Sequence, residues 1–105
     1  MKTFLVLAFS DPAGKASKDP GGMEAWGEWM KKYDGQIADM GAPLSSGVEG
    51  SKSGGFNTIK PDQWPAEGYM MIMAADMAAA QAMVKDSPLG DDMPLRIFEK
   101  TEMMN

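Results

Sequence analysis

The chain has 105 residues, a length that suits one domain with a single hydrophobic core. Hydrophobic residues make up 44% of the chain and charged residues 24%, a balance typical of globular rather than disordered proteins. Cysteine and histidine are both absent, which excludes disulfides, thiol nucleophiles, Cys/His zinc sites and Ser-His-Asp triads. The formal net charge is −5, and because an acidic surface repels phosphate backbones we expect no nucleic-acid partner.

The N-terminal segment is apolar but short. Its apolar run covers only residues 4–9, and Ser10-Asp11-Pro12 follows where a signal peptide would carry small residues for cleavage. We therefore predict a buried first strand here. The other long apolar run, Tyr69 to Ala75, is far shorter than a bilayer-spanning helix. These features, with the absence of cysteine, lead us to expect a cytoplasmic protein that does not enter a membrane.

A loop rich in glycine and proline is predicted over residues 10–22, and an amphipathic helix follows it. Its apolar residues recur at spacings of three and four, on one helical face: Met23, Trp26, Met30, Tyr33, Ile37 and Met40. Asp19 or Pro20 suits the start of this helix, and Gly41 with Pro43 suits its end. Trp26 and Trp29 flank the apolar face, so we expect one in the core and the other in the wall of a cleft.

The sequence of the second half of the chain predicts mainly strands. We expect a strand that begins at residues 43–45, a flexible Gly/Ser connection over about residues 45–55, a returning strand at 56–59 and a turn at 60–65. A strong strand at 68–75 leads to a helix from Met77 to Lys85, for which Asp76 is the predicted N-cap. The last strand covers 94–100. The order β-α-β-(β)-β-α-β predicts one α+β, ferredoxin-like domain over residues 1–105, with both helices on one face of an antiparallel sheet.

The two strongest predicted strands are apolar on both faces. In the first, one face carries Phe4, Val6 and Ala8 and the other carries Leu5, Leu7 and Phe9. In the second, the faces carry Met70, Ile72 and Ala74 against Tyr69, Met71 and Met73. Helices can cover only one of these faces, and soluble monomers rarely expose an apolar patch of several hundred Å². We therefore predict a homodimer whose two sheets pack face to face as an α+β barrel.

Four motifs occur in an order and spacing that resemble the YCII-related family and its DGPF branch. They are Met23-x-x-Trp26-x-x-Trp29, Asp39-Met40-Gly41-x-Pro43-Leu44, Gly68-Tyr69-x-x-x-x-Ala74-Ala75-Asp76-x-x-x-Ala80 and Ser87-Pro88-Leu89. The resemblance covers nearly the whole chain and implies a ferredoxin-like protomer in a dimeric α+β barrel. The His-Asp pair proposed as catalytic in some members is absent, and Asp62-Gln63-Trp64-Pro65 stands roughly where the DGPF signature would lie. The resemblance therefore implies a fold and no catalytic pair.

We predict no catalytic residue, metal site or cofactor. The candidate ligand-binding residues are Trp29, Tyr33, Asp62, Trp64, Tyr69, Arg96 and Phe98. If Leu95 and Ile97 face the helices, Arg96 and Phe98 line the barrel side. There Arg96, the only arginine, would hold an anion or pair with Glu99, Asp62 or a residue of the partner subunit. Trp64 is expected to cover a pocket or to pack across the dimer interface.

The chain contains twelve methionines, of which Met70, Met71, Met73 and Met77 are the most closely spaced. Thioethers are soft ligands for Cu(I), but Met70 would point away from Met71 and Met73 in a strand. We therefore expect these side chains to fill the core.

Three functions remain open. The first is a small-molecule-binding or accessory homodimer that holds an apolar or anionic ligand without conventional catalysis. The second is a cofactor-independent enzyme, resembling an oxygenase or isomerase, with Tyr33, Tyr69, Asp62 or Arg96 in a dry cavity. The third is a structural or partner-binding dimer with no cavity. A closed cavity that brings a carboxylate within hydrogen-bond reach of a tyrosine would favour the enzyme.

Overall fold

The computed structural model describes residues 1–10, 22–90 and 92–101. The described elements are β1 (Lys2–Phe9), α1 (Gly22–Lys32), β2 (Ile37–Pro43), β3 (Val48–Ser51), β4 (Gly55–Thr58), β5 (Ala66–Ala74), α2 (Met77–Lys85) and β6 (Leu95–Glu99). A short 3₁₀ turn, Pro61–Gln63, precedes β5. Most of the loop predicted at residues 10–22, and the helix start predicted at Asp19 or Pro20, lie outside the described residues. No helix within the described ranges combines the length and apolar character needed to cross a bilayer.

Four strands form an antiparallel sheet in the order β2-β5-β1-β6. The two longest strands, β1 and β5, lie at its centre, with Phe4 opposite Ile72 and Val6 opposite Met70. Each half of the chain contributes a strand–helix–strand unit whose strands are separated by a strand of the other unit. This α+β arrangement is consistent with the ferredoxin-like fold that the element order predicts.

The hydrophobic core lies between the two helices and one face of this sheet. Its buried members are Phe4, Val6, Trp29, Met70, Ile72, Ala74, Ala80, Met83 and Val84. Because residues of α1 and α2 share this cluster with alternate residues of β1 and β5, both helices cover the same face. The largest fully buried side chains are Phe4, Ile72 and Val6, and burying such a side chain stabilises the fold by about 1.5–3 kcal/mol.

The first helix is shorter than the sequence predicts. It ends at Lys32, Gly35 adopts φ +83°, and β2 begins at Ile37. The prediction of a helix to Met40 with a strand beginning at Pro43 is therefore wrong. Glycine in a left-handed conformation ends a helix, and the segment beyond it satisfies its backbone by pairing with β5. Ile37 still packs against the core because it lies opposite Ile72 in the sheet.

β2 is an irregular edge strand. Its register against β5 shifts on both sides of Asp39. Gly41 lies in the second irregularity with φ +71°, and a Cβ there would stand 1.6 Å from the carbonyl oxygen of Tyr69. The strand therefore needs glycine at this position for close backbone approach, not for ending a helix. Bulges of this kind also protect an edge strand from pairing with another chain.

Part of the predicted Gly/Ser connection forms a hairpin instead. Within residues 45–55, Val48–Ser51 is β3, which pairs with β4 in a separate two-stranded sheet. Every residue of the two strands is exposed, and Phe56 lies opposite Gly50. A strand is confirmed at the position predicted for 56–59, with a shift of one residue, but it pairs with β3 and not with the strand predicted to begin at 43–45.

Asp76 caps α2 as the sequence predicts, because its side-chain Oδ1 accepts a hydrogen bond from the N–H of Ala79 at 2.8 Å. We expect Asp76→Ala to lower the free energy of unfolding by about 1 kcal/mol, since it removes an N-cap acceptor. Asp76→Asn keeps the acceptor and should retain most of the stability. Urea denaturation of both variants tests this expectation, and equal losses in the two would contradict the capping role.

Candidate functional site

An apolar cavity of about 650 Å³ lies between α1 and the part of the sheet formed by β2 and β5, and we call it the α1 groove. Both tryptophans of α1 line it, and five methionines join them: Met23, Met30, Met40, Met70 and Met93. The helical spacing of Met23, Trp26 and Met30 directs these side chains to one side of α1, above the strands. A volume of this size falls within the range of about 300–1,000 Å³ found for small-molecule sites.

The α1 groove presents very little charge. Glu67 is the only charged residue that lines it within the described ranges. The main-chain carbonyl of Glu67 accepts the Leu44 N–H at 2.7 Å, and the register shift between β1 and β5 lies at this residue. An anion in the groove would have no cationic partner, whereas an uncharged apolar molecule would lose no hydrogen bonds to water by entering it.

Trp29 connects α1 to α2 and also lines the groove. Its side chain is 5% exposed, and its indole Nε1–H donates a hydrogen bond to the Met83 carbonyl at 3.0 Å. Trp26 packs edge-on against it with 5.7 Å between the ring centroids. The prediction that one of the two tryptophans lies in the core and the other in a cleft wall is confirmed. Because the polar atom of Trp29 is already used, the residue offers a ligand only its ring surface.

The face of the main sheet that carries no helix is a second apolar surface, which we call the open face. Pairing between strands defines two rows across it, Asp39–Met71–Leu5–Phe98 and Ala42–Tyr69–Leu7–Arg96. The residues of β1 and β5 in these rows are half-buried, and Phe98 is 48% exposed. Leu95 and Ile97 pack against the core on the other side of β6, so the predicted division of the strand faces is confirmed.

Arg96 lies on the open face and does not line the α1 groove. Its guanidinium carbon stands 5.2 Å from the centroid of the Phe9 ring, a cation–π contact. The alternative of a pair with Glu99 is wrong, because Glu99 lies opposite Phe4 on the helix side and its carboxylate is 3.5 Å from Lys2 Nζ. Neither of the two ion pairs in the described part of the chain includes Arg96.

Of the seven candidate residues, the structure places Trp29 and Tyr69 on the groove and Tyr69, Arg96 and Phe98 on the open face. Tyr33, Asp62 and Trp64 do not line the groove and are not part of the two rows that define the open face. Asp62 is exposed in the 3₁₀ turn, and Trp64 follows it with φ +55° and 49% of its surface exposed. The Trp64 position does not cover the α1 groove.

Asp86 joins the C-terminal ends of the two helices at the surface. Its Oδ2 accepts hydrogen bonds from Lys32 Nζ at 2.6 Å and from the Tyr33 hydroxyl at 2.9 Å. The hydrogen bond from Lys32, followed by that from Tyr33, lowers the pKa of Asp86. Hydrogen bonding to Asp86 raises the pKa of Lys32 and the pKa of Tyr33. Tyr33 is therefore committed to holding the helices together rather than to a cavity.

We expect the cluster of Lys32, Tyr33 and Asp86 to stabilise the fold fully only at intermediate pH. The lowered pKa of Asp86 means that its contribution is present above the unfolded value of 3.8 and is lost as pH falls through the folded value. The pKa values of Tyr33 and Lys32 are raised, so the contribution of these two residues to stability is fully present below pH 10.0. It is lost as pH rises through their pKa values in the folded protein. The change in stability with pH should be small, since the side chains of Lys32 and Asp86 are 63% and 41% exposed. Urea denaturation against pH should give a flatter profile for Asp86→Asn at both ends, and an unchanged profile would contradict this assignment.

The methionines highlighted by the sequence do not converge. Met70 is buried in the core and Met77 packs against it, while Met71 lies on the open face. The predicted role in filling the core is therefore confirmed for Met70 and Met77 and is wrong for Met71 and Met73, which alternate with Met70 and Ile72 along β5 and lie outside the core. Within residues 1–10, 22–90 and 92–101 there is also no group of three or more acidic, cysteine or histidine residues able to hold a metal ion.

Local sequence patterns do not mark the groove methionines as site residues. The helical spacing places Met23 and Met30 on an apolar helix face, and the same spacing wrongly predicts that Met40 belongs to α1 rather than to β2. One available signal was the excess of flexible methionine over leucine on this face, since methionine is common at adaptable binding surfaces.

A comparison with protein-family models, with curated proteins and with solved structures finds no match to this chain. The resemblance to the YCII-related family therefore stays a prediction, and the function is inferred from the geometry of the two apolar surfaces.

Proposed function

We propose that this protein is a homodimeric binding protein for a small, uncharged, apolar molecule that occupies the α1 groove. The observation that carries this proposal is a cavity of about 650 Å³ walled by tryptophan and methionine side chains. Methionine has several rotatable bonds and a polarisable sulfur, so its side chain adapts to different ligand shapes. The groove therefore favours a class of hydrophobic compounds over one exact shape.

An uncharged ligand is favoured over the anionic one that the sequence left open. The one arginine of the chain, Arg96, lies outside the groove, and the one charged residue that lines it within the described ranges, Glu67, is itself an anion. The enzyme alternative receives no support from the described residues, because the tyrosine–carboxylate hydrogen bond between Tyr33 and Asp86 lies at the surface. Binding without conventional catalysis is the function that this geometry supports best.

We propose further that a second copy of the chain covers the open face. The described protomer measures 43 × 42 × 20 Å, and its radius of gyration of 15.2 Å exceeds the value of about 13 Å for a compact domain of 100 residues. In such a thin layer, no helix or strand of the described residues covers the second side of the sheet. The open face is apolar at its centre and carries opposite charges at its two edges, a pattern that complements itself in a two-fold pair. The YCII-like resemblance implies the same pairing.

Thermal unfolding with two matched compounds tests the ligand class. We expect 2-naphthol, which is uncharged at neutral pH, to raise the melting temperature, with about 2.7 kcal/mol of stabilisation at a hundred times its Kd. The anion 2-naphthoate should have little effect. Met40 is 67% exposed at the groove, so Met40→Glu should fold and weaken the shift. The control Val48→Glu changes a residue that is 61% exposed on the hairpin and should leave the shift intact.

Two results would contradict the ligand proposal. The first is no stabilisation by either compound, or by other uncharged aromatic and aliphatic compounds of similar size. The second is stabilisation by 2-naphthoate alone that disappears in Arg96→Ala, which would restore the anion hypothesis. Sedimentation over a wide range of protein concentrations tests the assembly separately, and a monomer throughout would contradict the dimer.

A further inference from the structure

We infer that Asp39 forms an ion pair with Arg96 of the partner subunit, twice in each dimer, and that these pairs determine how the two open faces stack. This inference rests on the proposed dimer and adds its orientation. It follows from the positions that the strand register gives to the two charges, and from the hydrogen-bonding groups that each of them leaves unused within its own chain.

Asp39 and Arg96 lie at opposite edges of the open face. Asp39 is on the edge strand β2, directly opposite Met71, and Arg96 is on the other edge strand, β6, directly opposite Leu7. Between them the two rows contain Met71 and Leu5, and Tyr69 and Leu7. The two charges are separated by three strand spacings, or about 14 Å, and therefore cannot meet within one protomer.

Each of the two groups retains bonding capacity in the protomer. Asp39 Oδ1 accepts the Gly41 N–H at 2.8 Å, which leaves the rest of the carboxylate for a cation. The Arg96 guanidinium carbon lies 5.2 Å from the centroid of the Phe9 ring, a cation–π contact that occupies none of the five N–H donors of the guanidinium. Neither residue takes part in the two ion pairs of the described ranges, and both side chains are exposed.

A two-fold axis that runs parallel to the strands exchanges the two edges of the sheet. When one open face is laid on the other about this axis, β2 of one protomer covers β6 of its partner, and Asp39 approaches the partner subunit's Arg96. Symmetry repeats the contact at the other edge. The two residues belong to adjacent rows, so they are offset by two residues along the strand, or about 7 Å, which a long arginine side chain can span.

The alternative two-fold axis, perpendicular to the strands, would place like charges together. It lays β2 on β2 and β6 on β6, so that Asp39 faces the partner's Asp39 and Arg96 faces the partner's Arg96. Juxtaposed like charges at an interface cost several kcal/mol, whereas the crossed arrangement satisfies both charges. The charge pattern therefore selects the crossed stacking by favouring one orientation and penalising the other.

Charge reversal followed by mixing tests the pair. Asp39→Arg alone places two cations at each contact, and Arg96→Asp alone places two carboxylates there. Each homodimer should dissociate with a Kd raised by about 100-fold or more. When the two variants are mixed, the heterodimer regains one carboxylate and one cation at both contacts. It should therefore form with a Kd within about 10-fold of that of the unmodified protein.

A matched pair on the 3₁₀ turn controls for net charge. Asp62→Arg and Lys60→Asp make the same charge changes at exposed positions outside both rows, and we expect each to form homodimers with no preference for mixing. Sedimentation velocity and native mass spectrometry give the species present, and circular dichroism confirms that each variant folds.

Two outcomes separate this inference from the proposed dimer. If the unmodified protein dimerises and the reversed variants dimerise equally well, or if mixing gives no rescue, the ion pair is wrong while the dimer stands. If the unmodified protein is a monomer at every concentration, both are wrong.

Discussion

Replacing Trp29 by alanine is expected to lower the free energy of unfolding by about 3–5 kcal/mol, the usual cost of removing a large buried aromatic side chain. Trp29 is 5% exposed and belongs to the core cluster that unites both helices with the sheet. The substitution would remove the ring and also leave the Met83 carbonyl without the indole N–H that it accepts at 3.0 Å. A small domain has only about 5–15 kcal/mol of stability in total, so much of the population would unfold.

Two further variants separate the contributions to this loss. Trp26→Ala removes a ring that is only partly buried, so it should cost clearly less than Trp29→Ala. Trp29→Phe keeps most of the apolar volume but removes the donor to Met83, and it should cost about 1–3 kcal/mol for the unsatisfied carbonyl, together with any cavity left behind. Urea denaturation followed by circular dichroism measures all three without relying on tryptophan fluorescence. Equal losses for Trp29→Ala and Trp26→Ala would contradict the central position of Trp29.

Leu7→Glu is expected to convert the proposed dimer into a folded monomer. Leu7 lies in the middle of the open face, between Tyr69 and Arg96 in its row, and its side chain points away from the core. In a dimer it would be buried, where removing a carboxylate from water is unfavourable, and the new carboxylate would also compete with the partner's Asp39 for the neighbouring Arg96. Two copies act in each dimer, so we expect the dimer Kd to rise by about 1,000-fold.

Gln81→Glu provides the matched control for Leu7→Glu. It adds the same charge at an exposed position of α2, where we expect no effect on assembly. Sedimentation equilibrium measures the Kd, and circular dichroism checks that both variants keep their secondary structure. A Leu7→Glu protein that folds and remains a dimer would show that the copies associate through another surface.

Local sequence patterns predicted a large part of the fold. The period-two alternation of β1 and β5 identified both faces of each strand, since successive side chains of a strand must point to opposite sides. Asp76 and the alanine-rich segment after it marked α2 and its cap. These features depend on neighbours within a few residues, so the sequence carries them directly.

The boundary between α1 and β2 was not predictable in the same way. Ile37 fits a helical apolar stripe and also fits the helix-facing side of a strand, because both environments bury it. What decides between them is the left-handed turn at Gly35 together with the hydrogen bonds offered by β5, whose residues are about 30 positions away in the chain. A strand partner this distant leaves no local signal.

The same distinction between local pattern and distant contacts applies to the open face and the α1 groove. By itself the sequence determined that the helix-free side of the sheet is apolar, that Arg96 and Phe98 belong to that side, and that histidine and cysteine chemistry is impossible. Only the tertiary structure decided that Trp29, Met40 and Met70 meet around one cavity and that Asp39 and Arg96 stand at opposite edges of one face. The physical reason is that a residue's face follows from the backbone repeat, whereas the neighbours it meets follow from how distant segments pair and pack.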